Sequence, residues 1–236
     1  MAFSPDGTLL ASTGFDGVIA IWDASSAELM VTLRGHGDRT PINSSEANRS
    51  GWIEQLAFRP DGLELVSVGR DGTVRVWDPV SAEGRVLRTF DYELNSLAYN
   101  TDGSRLAVAE RTGQIHVLDS NTGKEILAPD SVSGPPTRLA FSPDGDLLAG
   151  AGPGHVAHLW ETATGRIVRR IQGSVYAPIG VAFVNDGREL LVLATEGVLR
   201  RYTLDPLDLV KLARQEASRD LTDEECQRYL RRSCNG

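Results

Sequence analysis

A five-residue turn, Phe3-Ser4-Pro5-Asp6-Gly7, recurs along the whole chain. It returns at Phe58-Arg59-Pro60-Asp61-Gly62, Tyr99-Asn100-Thr101-Asp102-Gly103, Phe141-Ser142-Pro143-Asp144-Gly145 and Phe183-Val184-Asn185-Asp186-Gly187. The turn aspartates stand 55, 41, 42 and 42 residues apart. A period in the low forties with four short strands per unit is the signature of a propeller blade. The expected fold is therefore all-β, a propeller of about five blades, and such scaffolds more often bind proteins than perform chemistry.

Each unit repeats one plan. An apolar strand enters the Asp-Gly turn (Gln55-Leu56-Ala57-Phe58, Ser96-Leu97-Ala98-Tyr99, Arg138-Leu139-Ala140-Phe141) and a second follows it (Leu9–Ser12, Leu65–Val68). A glycine-containing tight turn gives a third strand, Val18–Trp22 or Val74–Trp77, and a polar turn a fourth, Leu29–Leu33 or Arg85–Phe90. Short β-branched and aromatic runs bounded by Gly, Pro, Asp and Asn predict an antiparallel meander. The near-continuous apolar first strands predict burial on both faces beside the central axis, and the charged last strands predict a rim.

The dipeptides Trp22-Asp23 and Trp77-Asp78, the variant Trp160-Glu161 and the element Gly35-His36 resemble the WD40 repeat family. The resemblance covers residues 1 to about 204. It implies a buried structural tetrad, which the spacing maps onto His36, Ser67, Asp71 and Trp77. Asp71 would cap its turn and accept from His36, and Ser67 would link the imidazole to the indole, so that every buried polar group is satisfied. The other units depart from this pattern. The first keeps Ser12, Asp16 and Trp22 with no preceding His; the third has Val108, Thr112 and Leu118; the fourth keeps only Trp160, with Gly150 and Gly154; the fifth has Val192, Glu196 and Tyr202. Most blades are thus expected to rest on apolar packing.

The repeats divide as 1–36, 52–90, 92–128, 136–173 and 178–204, with an inserted polar loop at 37–51 and a C-terminal α-helical tail at 205–236. The first unit opens partway through a strand, and the fifth has no fourth strand. This predicts an incomplete or open ring, the C-terminal portion of a longer propeller, with a closed five-blade ring as the alternative and self-association through the open ends as a consequence. Asp205-Pro206 is a helix-start pair, Leu209, Leu212, Ala213 and Ala217 share a helical face, and Thr222–Glu225 is a capping box for a second helix to about Arg232. The first helix is expected to cover the exposed edge of the last blade. The tail, with Leu221–Cys226 and Arg228-Tyr229-Leu230, resembles the endings of large bacterial WD40 proteins. In those, a propeller follows a signalling module such as an NTPase, a kinase or a transcriptional regulator.

A net charge of −8 argues against nucleic acid, which demands clustered Lys and Arg. The arginines of the tail, Arg228, Arg231 and Arg232, read as complement to a helix dipole. No apolar run approaches membrane-spanning length and no signal peptide is visible, so the expected setting is cytoplasmic, without membrane contact. Cys226 and Cys234 would lie about 12 Å apart on a continuous helix, too far for a disulfide. The sequons at Asn43 and Asn48 read as polar loop residues.

Several patterns imitate chemistry. His36, Ser67 and Asp71 are a hydrolase's residue set, but the buried tetrad explains them. Gly150–Gly154 resembles a phosphate loop yet precedes a strand, not a helix. His155 and His158 would point to opposite faces of a strand, a poor arrangement for a shared metal. No metal or cofactor is expected. The better candidates for binding lie on the tight-turn face. Trp52, directly after the polar insertion, is either an exposed anchor or packed between blades. Phe15, Arg70, Arg111, Pro153 and Thr195 each precede the tight-turn Asp position and should ring one end of the channel; Phe15, Trp52, Arg70 and Arg111 are the expected partner-binding residues. The leading reading is a non-catalytic scaffold for a protein or peptide partner, the sensor or recruitment portion of a larger bacterial signalling protein. A propeller-borne hydrolase or lactonase and a gene fragment without independent role are the alternatives.

Overall fold

The computed structural model describes residues 1–37, 51–152, 155–172 and 177–205. Most of the inserted loop, with its sequons, lies outside the described residues, as do residues 206–236, where a helical tail with Cys226 and Cys234 is expected, and Pro153 and Gly154.

The repeats fold as antiparallel sheets. The first is β1 (Ala2–Phe3), β2 (Leu9–Thr13), β3 (Val18–Asp23) and β4 (Leu29–Arg34); the second is β5 (Ile53–Phe58), β6 (Leu65–Gly69), β7 (Thr73–Trp77) and β8 (Gly84–Thr89). The third holds β9 (Leu94–Tyr99), β10 (Arg105–Glu110), β11 (Ile115–Asp119) and β12 (Glu125–Leu127). The fourth holds β13 (Arg138–Phe141), β14 (Leu147–Ala151), β15 (Val156–Glu161) and β16 (Ile167–Gln172). The fifth has β17 (Pro178–Val184), β18 (Glu189–Ala194) and β19 (Leu199–Thr203). Strands pair in chain order within each sheet, and the inner strands β1, β5, β9, β13 and β17 stand side by side in sequence. This is an all-β propeller of about five blades.

In three of the five copies a short polar side chain, Ser4, Asn100 or Ser142, bridges the recurring turn. Ser4 Oγ donates to Asp6 Oδ1 at 2.6 Å and accepts from Leu9 N at 2.9 Å, and Ser142 repeats this with Asp144 and Leu147 N at 2.5 and 2.9 Å. In the third blade Asn100 Oδ1 accepts from Arg105 N at 2.9 Å, which is why the turn survives loss of the serine. Gly62 closes its copy at φ 76°, a left-handed conformation that a Cβ makes costly. Between the third and fourth strands the Asp of the Trp-Asp pair caps the loop, Asp78 Oδ1 accepting from Val80 N and Ser81 N at 2.7 and 3.0 Å.

One expectation needs correcting. The most deeply buried strands are the second and third of a blade, not the first: every residue of β6 is buried, whereas β13 is only partly so. An inner strand presents one edge to the channel, while a middle strand is flanked by strands in its own sheet and by blades on both faces. The rim does hold as read, with β8 largely exposed.

Between blades the packing repeats a two-sided rule. The face of the first blade carrying Ala11, Ile19 and Ile21 meets Leu56, Phe58, Leu65 and Trp77 of the second. Val66, Val68, Val74 and Val76 likewise meet Leu97, Leu106, Val108 and Leu118 of the third. Ala107, Ile115 and Val117 meet Leu139, Leu148 and Trp160 of the fourth, and Ala149, Ala157 and Leu159 meet Leu190 and Val192 of the fifth. Each blade thus has a leading face of small and branched residues and a trailing face holding the Trp position. Alternation along the strands produces both faces from one sequence.

Candidate functional site

The mapped tetrad residues come together in the second blade, all buried. Trp77 Nε1 donates to Ser67 Oγ at 2.8 Å, Ser67 Oγ lies 2.7 Å from His36 Nε2, and His36 Nδ1 stands 3.0 and 3.1 Å from the Asp71 carboxylate oxygens. The donor order that satisfies every group runs from indole N–H to hydroxyl, hydroxyl to imidazole, and imidazole N–H to carboxylate. Asp71 also accepts from Thr73 N, Thr73 Oγ1 and Gly37 N at 3.0, 2.8 and 3.2 Å. Burial pushes the Asp71 carboxyl up, but the hydrogen bond from His36, with the donors of Thr73, holds it below the ordinary range. Ser67 is fully buried between indole and imidazole, so its hydroxyl offers no approach to a substrate.

Other blades satisfy the same positions by routes the spacing did not reveal. In the first, Trp22 Nε1 still donates to Ser12 Oγ at 2.8 Å. In the fourth, Trp160 Nε1 turns to the Asp130 carbonyl at 2.8 Å, and Gly150 makes room for its ring, since a Cβ there would come within 2.8 Å of it. The third blade holds His116 between Glu125 Oε1 at 2.9 Å and Glu110 Oε1 at 3.3 Å, while Arg88 of the second blade reaches Glu125 at 3.3 Å. Beside the apolar packing expected of the divergent blades, the third and fourth carry polar contacts of their own. Among the described residues no group of three or more His, Cys, Asp or Glu could hold a metal ion.

The channel wall is also more polar than its Leu-Ala-Phe core suggests. Gln55 Oε1 accepts from Ser96 Oγ at 3.0 Å, Leu97 N at 3.2 Å and Arg138 Nη1 at 3.1 Å, while Gln55 Nε2 donates to Leu97 O at 2.9 Å. Ser96 Oγ in turn accepts from Leu139 N at 3.0 Å. One position, immediately before Leu in β5, β9 and β13, thus stitches β5 to β9 and β9 to β13. The visible signal was a polar residue at the same repeat position in three units.

The four candidate binding residues form a continuous ladder on the tight-turn face. A repeated backbone hydrogen bond places them: Arg70 N donates to Trp52 O at 2.9 Å, and Arg111 N to Glu93 O at 2.9 Å. Each hairpin tip is thereby tied to the residue entering its own inner strand. Phe15, at the tip between β2 and β3, is 75% exposed and stacks on Trp52 of the next blade with ring centroids 4.2 Å apart. The Arg70 guanidinium lies 4.5 Å from the Trp52 ring centroid, within cation–π range. Arg70 Nε meets Glu54 Oε1 at 2.5 Å and Glu93 Oε2 at 3.9 Å, and Arg111 Nε meets Glu93 Oε2 at 3.3 Å. Trp52 is half-buried, sandwiched rather than free-standing. Thr195 occupies the equivalent tip in the fifth blade, tied to Ala177 O at 3.1 Å. Glu54 and Glu93 complete the ladder and were not foreseen, because only the fold places them beside the hairpin tips.

Blades of antiparallel strands, one pinned by a His–Ser–Asp–Trp network, define the class as a β-propeller. The family model for the WD domain, G-beta repeat, matches residues 1–23 and 27–78. The chain is 24% identical over 235 residues to Protein LST8 homolog of Drosophila pseudoobscura pseudoobscura, covering 81% of this chain and 74% of that one. It is 30% identical over 164 residues to WD repeat-containing protein SL1-17 of Schistosoma mansoni (69% and 50%) and 27% identical over 174 residues to the Guanine nucleotide-binding protein subunit beta of Arabidopsis thaliana (69% and 43%). The matches to these last two span half or less of the relative's own length. The family model and these eukaryotic relatives make the chain similar to WD40 repeat proteins.

Proposed function

We propose that the chain is a non-catalytic interaction scaffold that binds a protein or peptide through the ladder from Phe15 to Arg111. The observation that carries this reading is an exposed Phe15 held in place on Trp52, itself backed by Arg70. An aromatic ring on a rigid support loses little conformational freedom on binding, and Trp and Arg are enriched among residues that dominate interfaces. The carboxylates Glu54 and Glu93 are engaged by arginines, which suits a recognition surface of matched charge better than acid–base work. A net charge of −8 favours a protein partner over nucleic acid. No helix among the described residues is long and apolar enough to cross a membrane. The setting we favour is the bacterial cytoplasm, with the propeller as the sensing or recruiting part of a larger signalling protein; the resemblance of the tail supports this.

Selection of a phage-displayed random-peptide library against the full chain tests the reading. Enriched peptides should bind at least about 30-fold more weakly to the double variant Trp52→Ala, Arg70→Ala, since truncating hot-spot residues costs about 2 kcal/mol or more. Equal binding to both proteins would reject this face. Turnover in an esterase and lactonase panel, abolished by Glu54→Gln or Glu93→Gln, would reject the non-catalytic reading.

A further inference from the structure

Among the described residues, the packing rule between blades leaves one face of each type without a neighbouring blade. On the trailing face of the first blade, Phe3 and Trp22 hold the positions of Phe58 and Trp77 in the second. Phe3 is 63% exposed where Phe58 is 7%, and Trp22 is half-buried where Trp77 is 2% exposed. On the leading face of the fifth blade, Leu199 pairs across to Leu193 as Ile19 pairs to Thr13, Val74 to Val68 and Ile115 to Ala109. Leu199 is 59% exposed, whereas Ile19, Val74 and Ile115 are fully buried. Leu193, at the position of Val68, is exposed as well.

We propose that these two faces dock on each other between copies of the chain, the leading face of the fifth blade in one molecule against the trailing face of the first blade in the next. The second copy is the occupant that the molecule itself specifies. Four interfaces inside the chain already join a leading face to a trailing face through these same strand positions. Continuing that rule across molecules would bury Phe3 and Trp22 against Leu193 and Leu199, as Phe58 and Trp77 are buried against Ile19 and Ile21. Arg201 falls where the inner blades carry Ile21, Val76, Val117 and Leu159. Its aliphatic stem adds to the apolar surface while its Nε stays 3.6 Å from Glu189 Oε1. The contact is heterologous: each molecule uses a different face, so the assembly closes into a ring or extends as a filament according to the rotation between copies.

Analytical ultracentrifugation of the full chain and of two variants tests this. The unaltered protein should gain mass with concentration, and Phe3→Glu and Leu199→Glu should each sediment as monomer. Because both positions are exposed, each variant should keep the native circular dichroism spectrum. Mixing the two variants is the decisive arm. The Phe3→Glu protein retains its fifth-blade face and the Leu199→Glu protein its first-blade face, so the mixture should form a dimer and stop there. A monomeric unaltered protein would overturn the proposal, the faces then being covered by the chain's own residues 206–236 or by a different protein. So would self-association that survives both substitutions, or a mixture that remains monomeric.

Discussion

The second and fifth blades are built on the same repeat, yet they hold their strands by different means. In the second, Trp77, Ser67, His36 and Asp71 form an unbroken buried chain of hydrogen bonds, and neighbouring blades cover both faces. In the fifth, Val192 and Tyr202 take the Ser and Trp positions, the sheet has only β17 to β19 among the described residues, and packing covers one face. The inner strands align, but the fifth turn carries Asn185 and Asp186 at φ 51° and 53° ahead of Gly187, where in the second only Gly62 has a positive φ. A blade therefore forms with either turn, and flanking blades and the tetrad determine how firmly it is held.

The largest expected effect separates the two blades. Trp77→Ala removes a buried indole and should cost about 3–5 kcal/mol, as buried aromatic truncations do. Tyr202→Ala, at the corresponding but half-buried position, should cost less than half as much. Urea unfolding of both variants checks the ratio, and equal losses would break the comparison.

Asp71→Asn should rank next, at about 1–3 kcal/mol for the weakened buried partners. It should also remove a pH dependence. Asp71 is depressed in the folded protein, so its contribution is complete above the unfolded aspartate value of about 3.9 and fades as pH falls through the lower folded value. The difference between unaltered and variant stability should thus shrink on acidification below about pH 4. A constant difference from pH 7 downward would contradict the role given to His36 and Thr73.

Gly150→Ser sharpens the contrast within the Trp positions. It restores the residue type of Ser67, but its Cβ would press on the Trp160 ring, which already donates to Asp130 O. We expect a loss of about 1–3 kcal/mol, typical of overpacking, rather than a gain. The smallest effect belongs to the open face: Arg201→Ala should change stability by no more than about 0.5 kcal/mol, because the Arg201 side chain is 68% exposed and its 3.6 Å contact with Glu189 is long.

What the sequence disclosed follows the same division. The Asp-Gly turns and the tetrad were legible because most of their geometry depends on short spacings: Ser67 and Trp77 lie on the adjacent strands β6 and β7, Asp71 sits in the turn between them, and the Gly35-His36 element marks the fourth member. The interblade arrangements were not. His116 with Glu110, Glu125 and Arg88 forms only when two blades meet, and Gln55, Ser96 and Arg138 converge from three inner strands. The binding ladder was half legible. Phe15, Arg70 and Arg111 followed from their shared hairpin position, while Glu54 and Glu93 emerge only from the backbone bonds that tie each hairpin tip to its inner strand. Burial was misjudged for the inner strands because an apolar run does not reveal which strand edge faces the channel.

The most direct test of the interaction face is a hydrogen-exchange footprint of the full chain with and without a peptide enriched by library selection. The account predicts slowed exchange at the hairpin tips around Phe15, Arg70 and Arg111 and at the entry to β5 beside Trp52, with the Asp-Gly turns at the opposite end of the strands unchanged. Protection confined to those turns, or to the exposed faces of the first and fifth blades, would contradict it.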